Sequence, residues 1–322
     1  MRFLNPQIFI FLTLALSWLG ATAQAQEFPS KPLKIYVGQG AGGGMDNLAR
    51  IVAQRLSGQL GQPVIVENKV GAGGDDATRA KSAPDGYSLL MGPIGNMVFT
   101  PILTPSLKYS PTKDFAPVSL VATFPLLLVV NAKSKFTTVK ELVEFMKANP
   151  EKSNYGGSGP AFQFANEMFK VKTGAKGEFI QYKSMSETIT ALITGDLVMS
   201  MVDTGPASTH LASGNLRALA VTSPQRLASL PNVPTMAELG FPEIEFRYWS
   251  GIFAPAGTPQ PVVKKLETEI NKLLQQPEVM AQMASQQVMA TGSSAEELGK
   301  LVATDLQRWG SVADTAKIKK NN

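Results

Sequence analysis

Hydrophobic positions along the chain follow two rhythms. In KPLKIYVG, Leu33, Ile35 and Val37 alternate with Lys34 and Tyr36, the period of a strand. The glycine-rich turn GQGAGGG follows, after which Leu48, Ile51, Val52 and Leu56 recur at helical spacing. Asp46 reads as the N-cap of that helix and Gly58 and Gly61 as its end. PVIVE is the next strand, so a β-α-β unit with parallel strands is expected. The rhythm then repeats. A short helix is expected from the VGAGGDD turn to about residue 83, followed by a strand in YSLLMG. VSLVATFPLLLVV reads as two apolar strands interrupted by Pro125. Helices are expected over 138–148, 164–172, 186–193, 260–274 and 294–312. Strands are expected in SNYGGSG, EFIQYK, LVMSMVD, LRALAVTS and FRYWSGIFAP. Strands alternating with helices predict an α/β fold, and small-residue turns recur where strands end. In open parallel sheets that edge binds ligands, so turns spread over two domains point to a cleft between them.

The first residues stand outside this rhythm. Arg2, an apolar run from Ile8 to Leu19 and the small residues of ATAQAQ have the order of a secretory signal, with cleavage expected after Ala25. The apolar run is shorter than the roughly 20 residues a membrane span needs. An exported, soluble protein is expected, and the remaining 297 or so residues suit two domains. Removing Arg2 lowers the formal net charge from +5 to +4. The cations are scattered, which speaks against nucleic acid as a partner; a mild positive field suits a small anion. With no cysteine and only His210 as histidine, thiolate and histidine metal sites are ruled out. His210 reads as structural, so neither a catalytic residue nor a cofactor or metal is expected.

What the glycine turn holds is the chemical question. Backbone N–H groups at a strand-to-helix turn form an anion cradle, and dinucleotides, nucleotides and carboxylates are all candidates. Gly38, Gly40 and Gly43 fit the G-x-G-x-x-G spacing, and Glu67 ends the next strand where a dinucleotide fold binds a ribose hydroxyl. Against that reading stand export away from the cytoplasm and the negative charge of Asp46 beside any pyrophosphate. A P-loop is excluded because no Gly-Lys-Ser/Thr follows. A turn with no ligand is the remaining alternative, at the entropic cost of consecutive glycines.

The segments KPLKIYVGQGAGGGMDNLAR, LGQPVIVENKVGAGG, APDGYSLLMG, KDFAPVSLVA, LRALAVTS, LPNVPTMAELG and FAPAGTP, with LVATDLQRWG near the end, together resemble the Bug (Bordetella uptake gene) solute-binding proteins of tripartite tricarboxylate transporters. The resemblance runs nearly end to end after the signal. It implies a two-lobed periplasmic binding protein, each lobe a mostly parallel sheet flanked by helices. Such a protein captures a small organic carboxylate in the cleft and passes it to integral-membrane permease subunits. It also implies a carboxylate grip at Ala41, Gly42, Gly43, Gly44, Met45 and Asp46.

Departures from the family pattern mark further candidates. Pro93 and Ile94 stand in GPIGNM, beside Gly95 and Asn96, where the family has hydroxyl-bearing residues. GGSGPAFQF is shorter than usual and offers Ser158, Gly159, Phe162 and Gln163, the last where histidine is common. Phe162, Pro93 and Ile94 read either as an apolar wall for the ligand or as core. Asp203 reads as a partner for a ligand ammonium or hydroxyl, or as a helix N-cap. Arg247 reads as a partner for a second carboxylate or as a surface cation; Trp249 reads as cleft lining or hinge packing. Tyr182 completes the set.

The expected protein is a monomeric, non-enzymatic receptor with an aromatic or aliphatic dicarboxylate as ligand. Lobe 1 is expected over 26–124 plus 247–322, and lobe 2 over 125–246. An amino-acid ligand, a sensor partner of the same fold and an exported Rossmann-type enzyme are the alternatives.

Overall fold

The computed structural model describes residues 28–38, 41–42, 44–69 and 83–320. Strand β1 (Leu33–Val37) pairs in parallel with β2 (Val64–Asn68) on one side and β3 (Ser88–Pro93) on the other. Helix α1 (Gly44–Leu60) links β1 to β2 and buries Leu48, Ile51, Val52 and Leu56, the apolar stripe read from the sequence. The helix starts at Gly44, so Asp46 lies inside its first turn and is not the N-cap. Asp46 is buried, and its carboxylate accepts bonds from the Gly42 N–H at 2.8 Å, Arg50 at 2.9 Å and Asn68 at 2.9 Å. Arg50, ahead of the Gly42 N–H and Asn68, holds this carboxyl down at about 2. Asp46 thus braces the glycine turn against β2. The helix continues through Gly58 and ends at Gly61, whose φ of 65° suits glycine.

A single strand, β4 (Phe115–Asn131), occupies the segment expected to be two. Its first part pairs antiparallel with β9 (Arg247–Pro255) as far as Pro125 opposite Arg247, and with the short β10 (Met289–Ala290). From Leu126 onward it pairs antiparallel with β7 (Ser200–Asp203) and β8 (Leu216–Val221). Pro125, which has no N–H to donate, sits where the strand changes partners and breaks nothing there. β9 closes the first half by pairing antiparallel with β3. The sheet is parallel in β2-β1-β3 and antiparallel along the two crossing strands.

In the second half, β5 (Tyr155–Ser158) and β6 (Phe179–Tyr182) form a parallel pair, tied toward β7 by a bridge between Tyr155 and Met199. A π turn at Gly95–Phe99 runs into the short α2 (Thr100–Leu103). The second half carries α3 (Val139–Ala148), α4 (Pro160–Thr173), α5 (Met185–Thr194) and α6 (Thr204–Ala212). Thr138 and Glu141 form a capping box before α3, and Ser184 caps α5. Helices α7 (Gln260–Leu274), α8 (Pro277–Ser285) and α9 (Ala295–Ala316) follow β9. Helix α8 is not expected from the sequence, and α6 only through the reading of Asp203 as a helix N-cap; both are nine residues long, and α6 has little apolar periodicity to reveal it. The helix expected after VGAGGDD falls largely outside the described residues, as does the signal segment. Phe99, Phe164, Phe246 and Trp309 form an aromatic cluster that joins α9 to the second half, with Phe99 and Phe164 stacked at 4.6 Å. Among the described residues, no helix is long and apolar enough to cross a membrane.

Candidate functional site

The crossing strands β4 and β9 sort their side chains between two cavities. Successive strand residues point to opposite faces. Phe124 is paired with Tyr248 in the register, their rings stacked at 4.6 Å, and both line one cavity of about 350 Å³. The adjacent pair, Thr123 and Trp249, lines a second cavity of about 410 Å³.

The Phe124–Tyr248 cavity has the features of an anion site. From the first half, the start of α1 contributes Gly44 and Met45. From the second half, the start of α6 contributes Thr204 and Gly205. Two helix N-termini, each with N–H groups left over by the helix and the positive end of a helix dipole, therefore face one space. Leu48, Phe162 and Pro206 add apolar wall, and Gln286, Gln287 and Val288 form its rim. Among the described residues, no lysine, arginine or histidine lines it, and the one charged group is Asp203, the last residue of β7, opposite Leu126. Asp203 occupies the N-cap position of α6, yet its side chain makes no capping bond. Its Oδ1 is buried without a hydrogen-bond partner, and burial pushes the carboxyl up to about 7. Burial and the neighbouring Asp203 charge also raise the Tyr248 phenol.

This cavity gathers Gly44, Met45, Phe162 and Asp203 from the residues singled out in the sequence. Ala41 and Gly42 lie exposed in the preceding turn, and Gly43 is outside the described residues. Gly95 packs behind the wall: a Cβ there would stand 3.7 Å from the Tyr248 hydroxyl. Pro93, Ser158, Gly159 and Gln163 are half-buried, and none lines the cavity. The Asn96 carbonyl accepts the Tyr109 hydroxyl at 2.6 Å.

Five expected contacts are placed elsewhere. Ile94 is core, at 1% exposure. Asp46 is the brace described above. Tyr182 lines a shallow hollow with Ser186, Thr190 and Asp196. Trp249 is buried, and its Nε1 donates to Asp305 at 2.7 Å. Arg247 is exposed and paired with Glu245 at 2.6 Å, beside Arg308, which donates to the carbonyls of Glu243 and Glu245. Arg247 and Trp249 share a face of β9, and the residue between them, Tyr248, faces the candidate site. The larger cavity they line is a weaker candidate because its charged groups are already engaged: Arg247 with Glu245, Arg308 with backbone carbonyls and Asp305 with Trp249. Arg247→Ala is accordingly expected to leave ligand affinity within about twofold in calorimetric titration, since rim or remote surface charges contribute little. A selective loss of diacid binding would put Arg247 back in the site.

Glu67, the position at which a dinucleotide fold binds ribose, is engaged by Lys34 at 2.6 Å. Sequence comparison then decides the family. The sequence profile of the family described as tripartite tricarboxylate transporter family receptor matches residues 48–318. The chain belongs to that family. The family is one of transporter receptors and not of enzymes, which removes the Rossmann-type alternative. Among relatives, Protein BugT of Bordetella pertussis is 36% identical over 318 residues, covering 96% of this chain and 97% of BugT. A solved structure from R. palustris with adipate is 29% identical with a TM-score of 0.76, covering 92% of this chain and 100% of that one. MatC from Rhodopseudomonas palustris with bound malate is 27% identical with a TM-score of 0.72, covering 88% and 99%. The receptor thus shares the two-lobed fold of periplasmic binding proteins. In it, Phe124, Tyr248, the start of α6 and the Gln286–Val288 rim line the cavity without having been singled out from the sequence. Only the alternation in FRYWSG hints at Tyr248, and alternation does not say which face fronts the cleft.

Proposed function

We propose that this receptor captures a small organic carboxylate between the starts of α1 and α6 and delivers it to the integral-membrane permease of a tripartite transporter. The observation that carries the reading is the convergence of two helix N-termini, one from each half of the chain, on an aromatic-walled cavity with no cation among its described lining residues. The lobes are residues 26–124 with 247–322, and 125–246. The partner change of β4 between Pro125 and Leu126 supports that division, and hinge bending there closes the lobes on the ligand. The receptor acts in the periplasm as a monomer after cleavage near Ala25.

The favoured ligand is an aromatic or aliphatic dicarboxylate. Its apolar body lies on Phe124, Phe162 and Tyr248, and its carboxylates meet the two helix starts. Relatives solved with adipate and malate support the class. Asp203, whose carboxyl burial raises to about 7, is able when protonated to donate to the second carboxylate. A second reading is favoured by the unpartnered Asp203 Oδ1: an amino-acid ligand whose ammonium pairs with the ionised carboxylate.

A thermal-shift screen of the mature protein with adipate, malate, terephthalate, glutamate and NAD tests both. A ligand that binds only the folded state adds about 2.7 kcal/mol of stability at a hundredfold excess over its dissociation constant. A shift with one acid class and none with NAD is expected. Stabilisation by NAD alone would overturn the carboxylate reading.

A further inference from the structure

Helix α8 ends in a Schellman motif: the Gln287 N–H donates to the Ala284 carbonyl at 2.9 Å and the Val288 N–H to the Met283 carbonyl at 3.1 Å. The motif requires a left-handed residue at its first position beyond the helix, and glycine is the usual occupant because it lacks a Cβ. Helices α4 and α5 obey this, ending at Gly174 and Gly195 with φ of 69° and 90°. In α8 the position holds Gln287 at φ 60°. Lys317, at the end of α9, is the other non-glycine with positive φ among the described residues.

What sets Gln287 apart from Lys317, which ends α9 in the same motif, is its position. It stands at the mouth of the candidate ligand cavity, on the half of the chain that carries α1. Its side chain reaches the other half: a Cβ built on Gly205, in the first turn of α6, would lie 4.0 Å from the Gln287 Cγ. Glycine at 287 would ease the backbone and remove this bridge. A strained residue retained at a site mouth is a reason to look for function.

We propose that Gln287 is the latch of the receptor, packing across the cleft mouth on the start of α6 and holding the lobes closed over the bound acid. This rests on the reading of the cleft as the ligand site. The left-handed turn aims the side chain across the gap, and a Cβ at 205 would meet it at ordinary contact distance. The latch adds closure to the two helix starts, which supply the charge complementarity. Its effect falls on ligand release more than on capture, because it forms only when the lobes meet.

The test uses Gln287→Gly, which suits the turn, and Gln287→Asn, which also tolerates the left-handed region but is one methylene shorter. Gln287→Gly is expected to raise the Tm of the free protein by about 2 °C. Both variants are expected to release the best-binding acid of adipate, malate, terephthalate and glutamate about tenfold faster than the unaltered receptor. The chain has no cysteine, so spin labels at Thr190→Cys and Lys272→Cys, both exposed positions, report the distance between the halves cleanly. Longer and broader distances in Gln287→Gly, with Gly205→Ala narrowing them only when Gln287 is present, support the latch. Release rates and distances unchanged within twofold in both variants overturn it. Failure of every acid to bind the unaltered receptor overturns the cleft reading instead, and the distances in the free proteins still decide the latch.

Discussion

Asp203→Asn is expected to separate the two ligand classes by opposite effects. If the ligand carries an ammonium, the substitution removes one partner of a buried ion pair, which costs about 2–3 kcal/mol and lowers affinity roughly 30- to 150-fold. If the ligand is a dicarboxylate, an ionised Asp203 opposes it, so affinity falls in the unaltered receptor as pH rises above 7. The asparagine variant binds such a ligand at least as tightly and shows no such decline. Titrations at pH 6 and 8 with malate and glutamate distinguish these outcomes. The free protein supplies an independent check. Burial raises the Asp203 carboxyl in the folded state from 3.8 to about 7. Below about pH 4 both the folded and the unfolded chain hold the proton, and the group costs nothing. As pH rises from 4 to 7 the unfolded chain releases its proton first, so stability falls; above 7 the loss is complete. A rise of that size corresponds to at most about 4 kcal/mol. Denaturant titrations of Asp203→Asn are expected to lack this downward slope, and an identical slope in both proteins would remove Asp203 as a buried titrating group.

Gly177→Ala is expected to destabilise the protein by about 3–5 kcal/mol. Gly177 has φ 133°, and a Cβ there would stand 1.9 Å from the Ser153 carbonyl oxygen, which is backbone and unable to swing aside. The contact lies where the chain leaving α4 passes Ser153, two residues ahead of β5, so that the Tyr155 N–H reaches the Glu178 carbonyl at 3.0 Å and β5 pairs with β6. The alanine forces the two segments apart and loosens the strand pair that leads into Ser158 and Phe162. Chemical denaturation measures the loss. Stability within about 1 kcal/mol of the unaltered protein would show that the two segments separate at little cost. By contrast, Gly159 has open space around its Cβ position and strains only through its φ of 80°.

The local elements are legible in the sequence because their causes are local. Leu33, Ile35 and Val37 alternate and form β1, all three with no exposure. Thr138 and Glu141 are three residues apart and form the capping box. The glycines that end α4 and α5 stand where a left-handed residue is required. The motifs spread along the chain also determine the family, because end-to-end similarity fixes a shared fold whatever the ligand. Pairing partners are another matter. The strand through Pro125 reads as two because proline lacks a donor, yet at a change of partner that donor has no use.

The site divides along the same line. The glycine turn, Phe162 and Asp203 are visible as small or polar residues at strand ends. Tyr248 is masked by its neighbours Arg247 and Trp249, since period-two alternation assigns two faces without saying which one meets the other half. Gln287 gives no signal, because a glutamine after a short helix is ordinary until its turn is seen to be left-handed and its side chain to lie beside Gly205. The sequence by itself determined most of the elements and the transporter-receptor family, and named the carboxylate class to be tested. The tertiary structure decided which residues share the cavity, because that depends on how β4 and β9 cross and on which helix starts the crossing brings face to face.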